Sequence, residues 1–218
     1  MRNFKKTLSF LLSTVIIVSS VVGVGTTVFA ATDEHTYKNF KYRILDDNTA
    51  EICGYTGKNA VVTVPDSIDS KPVTSIGRTA FYSGKIKEVT IPNTVRSIKW
   101  WAFYGCESLE KINLNFGLKT VGYGAFMNCK KLKSVSIPMS VTQICDDSFA
   151  VSCSTQKGVF DTYSKQTIST QQYSTDSSFT LEGYSGTVAE KYCNDNSLNF
   201  VSSGNVIYGD VDNNGTVE

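Results

Sequence analysis

Apolar and polar positions recur along this chain with a period of 23 residues. The segments 86–108 (IKEVTIPNTVRSIKWWAFYGCES), 109–131 (LEKINLNFGLKTVGYGAFMNCKK) and 132–154 (LKSVSIPMSVTQICDDSFAVSCS) align without gaps. Six columns are apolar in all three: Ile86/Leu109/Leu132, Val89/Ile112/Val135, Ile91/Leu114/Ile137, Val95/Leu118/Val141, Ile98/Val121/Ile144 and Phe103/Phe126/Phe149. An irregular earlier copy, 59–85, keeps Val62, Val64, Pro65, Ile76, Ala80 and Phe81 in the same roles and carries about five extra residues around Asp69 to Pro72.

Each copy has a local reading. Val89-Thr90-Ile91 alternates with a period of two, the mark of a short strand with two side chains turned inward. Pro92 and Pro138 end the strand because proline cannot donate to a ladder; Asn115 takes that place in the middle copy. Val95 and Ile98 bury the return path, and Ala102-Phe103 fills the interior, the small residue making room for the ring. One copy cannot bury its own apolar side, whereas stacked copies can. Ser148 replaces the alanine in the last copy and Cys153 sits one place late, so the stack is expected to loosen there.

The flanks supply the covered ends that a stack needs. Phe40 to Ile44 alternates, Asp46-Asp47-Asn48 is turn chemistry, and Ala50 to Cys53 returns, so residues 31–58 are predicted to form an N-terminal β-hairpin cap. Residues 155–178 are rich in Ser, Thr and Gln and read as a polar insertion, with one strand near Val159-Phe160. Residues 179–204 predict strand, glycine turn, short helix and strand, a C-terminal cap. Thr187 is the expected N-cap, with Glu190 completing a capping box. The fold class expected is mostly β with short helices: a right-handed leucine-rich-repeat-type solenoid of about four 23-residue repeats with end caps.

The first thirty residues stand apart. A basic start (Arg2, Lys5, Lys6), an apolar run from Leu8 to Val24 and small residues at Ala30-Ala31 form a secretory signal pattern, residues 1–30. An uncleaved anchor is the competing assignment, and the cleavage-like end argues against it. No later segment reaches the ~18 consecutive apolar residues of a membrane helix, so no membrane span is expected after cleavage. The chain is expected to be secreted and extracellular. Without Arg2, Lys5 and Lys6, the 21 basic residues fall to 18 against 20 acidic ones, a net of −2. That balance argues against a nucleic-acid partner.

The motif strand-IP-x-x-V-x-x-I-x-x-x-AF-x-x-C, present as IPNTVRSIKWWAFYGC and less perfectly as IPMSVTQICDDSFAVSC, resembles the BspA-type leucine-rich repeat family over residues 59–154. The resemblance implies a surface or secreted protein that binds proteins or host and matrix components. The final residues, GDVDNNGTV, resemble the start of a type I dockerin, in a segment 205–218 read as linker and incomplete loop. Asp210, Asp212 and Asn214 occupy positions 1, 3 and 5 of a calcium loop, Gly215 occupies position 6, and Thr216 offers its carbonyl at position 7. The resemblance implies calcium as cofactor and a scaffoldin cohesin as partner, if the dockerin is complete in the native gene product. The chain reaches position 9 of the first loop, so the position-12 carboxylate, the helices and the second loop are missing from it.

Catalysis finds little support. Histidine is represented only by His35, and no HExxH, GxSxG or glycine-rich phosphate loop occurs. The carboxylates available for glycosidase chemistry (Glu88, Glu107, Glu110, Asp146, Asp147, Glu182) fall at exposed or turn places of the repeat and read as solvated surface. Six cysteines in an exported chain suggest disulfides, but Cys106 and Cys129 share one repeat column and read better as a buried apolar ladder.

Two surfaces are candidates for binding a protein or glycan. Thr63, Thr90, Asn113 and Ser136 form one outward polar column, with Val61, Glu88, Lys111 and Ser134 beside it. Tyr82, Trp100, Trp101, Tyr104 and Tyr123 form an aromatic group, and exposed Trp and Tyr are typical binding hot spots. Packing between copies is the competing role for the rings, plain solvation for the polar column. The expected function is a secreted non-catalytic binding module tethered to a cellulosome by a dockerin. Alternatives are a secreted adhesin with no such link and a non-catalytic part of a larger polysaccharide-degrading enzyme.

Overall fold

The computed structural model describes residues 33–149, 152–161, 166–174, 176 and 178–205. The signal segment 1–30 and the calcium-loop residues Asp210, Asp212, Asn214 and Thr216 lie outside these residues. In chain order the elements are strands β1 (His35–Tyr37), β2 (Phe40–Ile44), β3 (Ala50–Tyr55), β4 (Val61–Thr63), β5 (Ser67–Ile68), β6 (Lys71–Ile76), β7 (Glu88–Thr90), β8 (Ser97–Ile98), β9 (Lys111–Asn113), β10 (Thr120–Val121), β11 (Ser134–Ser136), β12 (Gln143–Ile144), β13 (Ser152–Asp161), β14 (Gln166–Ser174) and β15 (Thr180–Ser185). Helix α1 (Val188–Asn196) and strand β16 (Asn199–Asn205) follow.

Each 23-residue copy makes one coil, and identical columns stack in parallel register. On one face Val61, Glu88 and Lys111 align, as do Val62, Val89 and Ile112. On a second face Ile76, Ile98, Val121 and Ile144 align along β6-β8-β10-β12. A third row of backbone bonds runs through the turns after the second strand: Phe81, Phe103 and Phe126 each donate N–H to a carbonyl of the next coil, at 2.7, 2.8 and 2.7 Å. The hairpin β2-β3 joins the second face through β6.

The core follows from the repeat. The inward columns are buried throughout, apart from Leu114 and Ile144, which are half-buried. Phe81, Phe103, Phe126, Phe149 and Phe179 form one ladder of stacked rings, with centroids 4.8, 5.2, 5.3 and 5.3 Å apart. Ala80, Ala102 and Ala125 beside them are buried and leave room for the rings. Tyr55 and Phe40 of the hairpin extend the ladder at its start. Beside it Cys106 Sγ donates to the Phe81 carbonyl at 2.9 Å and Cys129 Sγ to the Phe103 carbonyl at 3.2 Å. Both thiols are free and buried, and burial pushes Cys106 up to about 12 and Cys129 well above its ordinary value. Asn115, in the proline column, is buried because its Oδ1 accepts the Gly117 N–H and its Nδ2 reaches the Val95 carbonyl, a side-chain turn in place of a fixed proline angle.

Three expectations need correction. The coil has about six turns where about four were expected, because the segment read as a C-terminal cap continues the ladder: β11 pairs in parallel with β15, and β15 with β16. The loosening expected at the last regular copy is confined to the first face, where β9 and β11 do not pair, and does not reach the ring ladder. Ser148 is fully buried because its hydroxyl donates to the Gly122 carbonyl at 2.9 Å, and Phe149 stacks on both neighbours. The capping box at α1 is displaced. Thr187 stands at the N-cap, but its hydroxyl donates back to the Tyr184 carbonyl at 2.6 Å, and Glu190 accepts from Gly186 N–H at 2.7 Å.

The polar insertion is a two-stranded antiparallel hairpin, β13-β14, lying between the fourth and fifth rungs of the first face. On that face the ladder divides into β4-β7-β9 and β11-β15-β16, with no pairing between β9 and β11.

Candidate functional site

The aromatic candidates sit where each coil turns out of its second strand. The residue before the buried Ala or Ser of each of the first four coils takes a left-handed backbone: Thr79, Trp101, Gly124 and Asp147 have φ of 56, 55, 57 and 54°. That conformation suits Gly and Asp and is an outlier for a bulky residue. Trp101 is held there from both sides. The Arg78 guanidinium lies 4.8 Å from its ring centroid and Tyr123 meets it edge-on at 6.2 Å. Gly124 leaves it room, since a Cβ there would stand 2.7 Å from Trp101 Cδ1. Asp147 accepts a hydrogen bond from Tyr123, while burial raises its carboxyl above the ordinary value.

Trp100, one residue earlier, takes the opposite course and is 57% exposed at the corner of the coil. Tyr82 and Tyr104 form a second group one residue beyond the phenylalanine ladder. Their rings stack 5.4 Å apart and 6° from parallel, and Asn128 Nδ2 donates to the Tyr104 hydroxyl at 3.2 Å. The next residue in that column, Met127, is buried and ends the row.

The outward polar column is partly closed on itself. Asn113 Nδ2 donates to Glu88 Oε1 at 3.0 Å and to Thr90 Oγ1 at 3.2 Å, and Lys111 pairs with Glu88 at 3.3 Å. Those bonds hold the Glu88 carboxyl below its ordinary value. Ser136 lies across the divided ladder, and there a cavity of about 250 Å³ brings Asn113 and Ser136 together with Phe116 and Tyr184. Phe116, 61% exposed, was missed from the sequence. Its signal was an apolar ring directly after the strand-ending Asn115, at a place where Asn93 stands in the preceding copy. Thus the fold joins Trp101 with Tyr123, Tyr82 with Tyr104, and Asn113 with Ser136. It gives Trp100 no ring partner among the described residues.

Among the described residues no cluster of three or more His, Cys, Asp or Glu is placed to hold a metal ion, and no helix is long and apolar enough to cross a membrane.

Stacked coils of 23 residues around a phenylalanine ladder define a leucine-rich repeat solenoid. The sequence profile of the BspA type leucine-rich repeat region matches residues 63–181 in six copies, and the chain belongs to that family. Among solved structures, a leucine-rich repeat protein from Bacteroides capillosus is 31% identical with a TM-score of 0.50, covering 52% of this chain and 88% of that one. The leucine-rich repeat protein of T. pallidum is 30% identical with a TM-score of 0.46, covering 53% of this chain and 66% of its own. One from Bacteroides ovatus is 28% identical with a TM-score of 0.46, and the match spans 53% of this chain and 38% of that protein. No curated protein matches the sequence.

Proposed function

We propose that this chain is an exported, non-catalytic binding module whose aromatic flank contacts a protein or polysaccharide ligand. The observation that carries the reading is Trp100. A tryptophan left 57% exposed beside a neighbour that is packed on both sides is a contact residue without a folding task. Large exposed rings supply most of the binding energy in many interfaces. The signal pattern of residues 1–30 supports export.

Trp100→Ala is expected to weaken binding more than tenfold, about 2 kcal/mol, in an array of plant polysaccharides and cell-surface proteins probed with the purified chain. Its melting temperature is expected to stay within a degree or two of the parent, since surface substitutions change stability by only about ±0.5 kcal/mol. A variant that keeps full affinity for whatever ligand the parent retains overturns the assignment of Trp100.

The tail adds a tether to this reading. Asp210, Asp212 and Asn214 offer side-chain oxygens and Thr216 a carbonyl, a hard donor set suited to calcium. A complete loop needs a bidentate carboxylate at position 12. The reading expects the gene to continue past Glu218 into a helix and a second DxDxxG loop. It also expects the full product to be retained on a cohesin with calcium and released by chelation. A stop codon directly after Glu218, or retention that ignores chelation, removes the dockerin from the proposal.

A further inference from the structure

We propose that the cavity at the head of the Tyr82–Tyr104 column is a binding site for an acidic sugar unit of a polysaccharide, a deepening that rests on the binding-module reading. Tyr82 is the first ring of its column. One face stacks on Tyr104 and the ring borders a cavity of about 340 Å³, where residues 53–59, leaving the hairpin, pass the first coil. Apart from Ile86, where the next copy begins, the lining comes from the hairpin and the first coil and includes neither Tyr104 nor its neighbours, so the cavity lies on the other side of Tyr82 and places the next position of the aromatic stack within it. Tyr82 is 57% exposed, which leaves its ring open to contact there.

The volume lies at the small end of ligand pockets, a fit for one sugar ring and not for a folded partner. Gly57 lets the wall close on itself, because a Cβ there would stand 2.3 Å from the Tyr55 hydroxyl beside it.

Charge selects the ligand. Lys41, Lys58 and Lys85 line the cavity against the single carboxylate of Glu34. Lys41 lies 3.8 Å from Glu34, whereas Lys58 and Lys85 have no ion-pair partner among the described residues. Lys85 also borders a second cavity of about 420 Å³ beside Tyr104, whose one carboxylate, Glu107, is paired with Lys130 at 2.6 Å. The uncompensated charge along this stretch is therefore positive in a chain whose net charge is only +1. An aromatic face presents the apolar side of a pyranose with its stacking partner, and two free ammonium groups beside it match a carboxylate or sulfate on the same ring. The second cavity, sharing Gly84 and Lys85 with the first, receives the adjoining sugar.

The test is affinity electrophoresis of the full chain in gels containing polygalacturonate, dextran sulfate, neutral xylan or poly-glutamate. Retardation by polygalacturonate or dextran sulfate, weakened by added salt and absent with xylan, is the expected result; which of the two retards more tells uronate from sulfate. Lys58→Gln and Lys85→Gln are each expected to weaken it about fivefold, and Tyr82→Ala about tenfold, while Tyr82→Phe keeps most of the affinity. Equal retardation by xylan, indifference to both lysine variants, or poly-glutamate binding as tight as the acidic glycans overturns the site. Loss of this site with a Trp100-dependent ligand still bound leaves the binding-module reading standing; no Trp100-dependent ligand at all removes that reading instead.

Discussion

Phe103→Ala is expected to destabilise the coil by about 4 kcal/mol, near the middle of the range for emptying a buried phenylalanine site. Phe103 is fully buried and stacks on Phe81 at 4.8 Å and on Phe126 at 5.2 Å. Truncation therefore removes the transfer energy of the ring, leaves a cavity beside fully buried Ala102, and breaks two aromatic contacts worth about 0.5–1.5 kcal/mol each. Neighbours cannot collapse into the gap, because the backbone bonds of the turns fix the spacing of successive coils. Phe179→Ala is expected to cost less, since that ring has one phenylalanine neighbour. Denaturant unfolding of the full chain followed by circular dichroism measures both. A loss below about 1 kcal/mol for Phe103→Ala, or an equal loss at both positions, would show that the ring ladder does not hold the coils together.

Glu51→Gln is expected to cost about 3 kcal/mol at neutral pH, the lower end for removing one partner of a buried ionic group. The carboxylate is 1% exposed on β3 and is met by Arg43 from β2 and by Lys99 from the second coil, and Ser75 Oγ donates to it at 2.6 Å. The register places Glu51 opposite both Arg43 and Ser75, so one side chain ties the hairpin to the first coils. Arg43 and Lys99 remain 38% and 41% exposed, so water takes over part of their solvation when the carboxylate is lost. Burial pushes the carboxyl up, but Lys99, Ser75 and Arg43 together hold it below its ordinary value. A carboxyl with a folded pKa lower than its unfolded one binds fewer protons when folded, so its stabilisation is present above the unfolded value and is lost as pH falls through the folded one. The stability gap between parent and Glu51→Gln is therefore expected to be full near pH 7 and to shrink below about pH 4. Thermal melts of both proteins from pH 7 down to pH 3 provide the check. A gap that stays constant with pH would mean that the ions do not couple to folding.

The coil was legible because its columns are regular. Val89, Ile112 and Val135 repeat at one spacing and are all buried, and the Ala-Phe pairs marked the interior positions that the rings fill. What lay beyond Cys153 was not legible as a continuation. The insertion breaks the period, and α1 stands where earlier coils have a second strand, so Phe179 and Leu181 look unrelated to Phe149 and Val135 although they stack in line with them. The Glu51 cluster was invisible for another reason: Arg43, Glu51, Ser75 and Lys99 come from four separated segments whose meeting depends on strand register. At the aromatic flank the sequence offered no physical reason why Trp100 and Trp101 should part. Only the left-handed backbone of the Thr79, Trp101, Gly124, Asp147 column separates the packed ring from the exposed one, and the Gly and Asp in that column were the readable trace of it. Phe116 and Tyr184 meet only because the ladder divides beside them, which no local pattern encodes.

Phe149 and Phe179 are thirty positions apart in sequence yet stack at 5.3 Å, the same separation as Phe126 and Phe149, which are neighbours by one regular repeat. The hairpin between them leaves the ring separation unchanged, while the planes tilt from 7° to 26°. For evolution this is a socket: cargo of varied length and sequence can enter the gene at the turn after Phe149 and leave the scaffold's packing intact. An engineer wishing to display a foreign loop has, between Phe149 and Phe179, a place where the ring ladder already tolerates a hairpin.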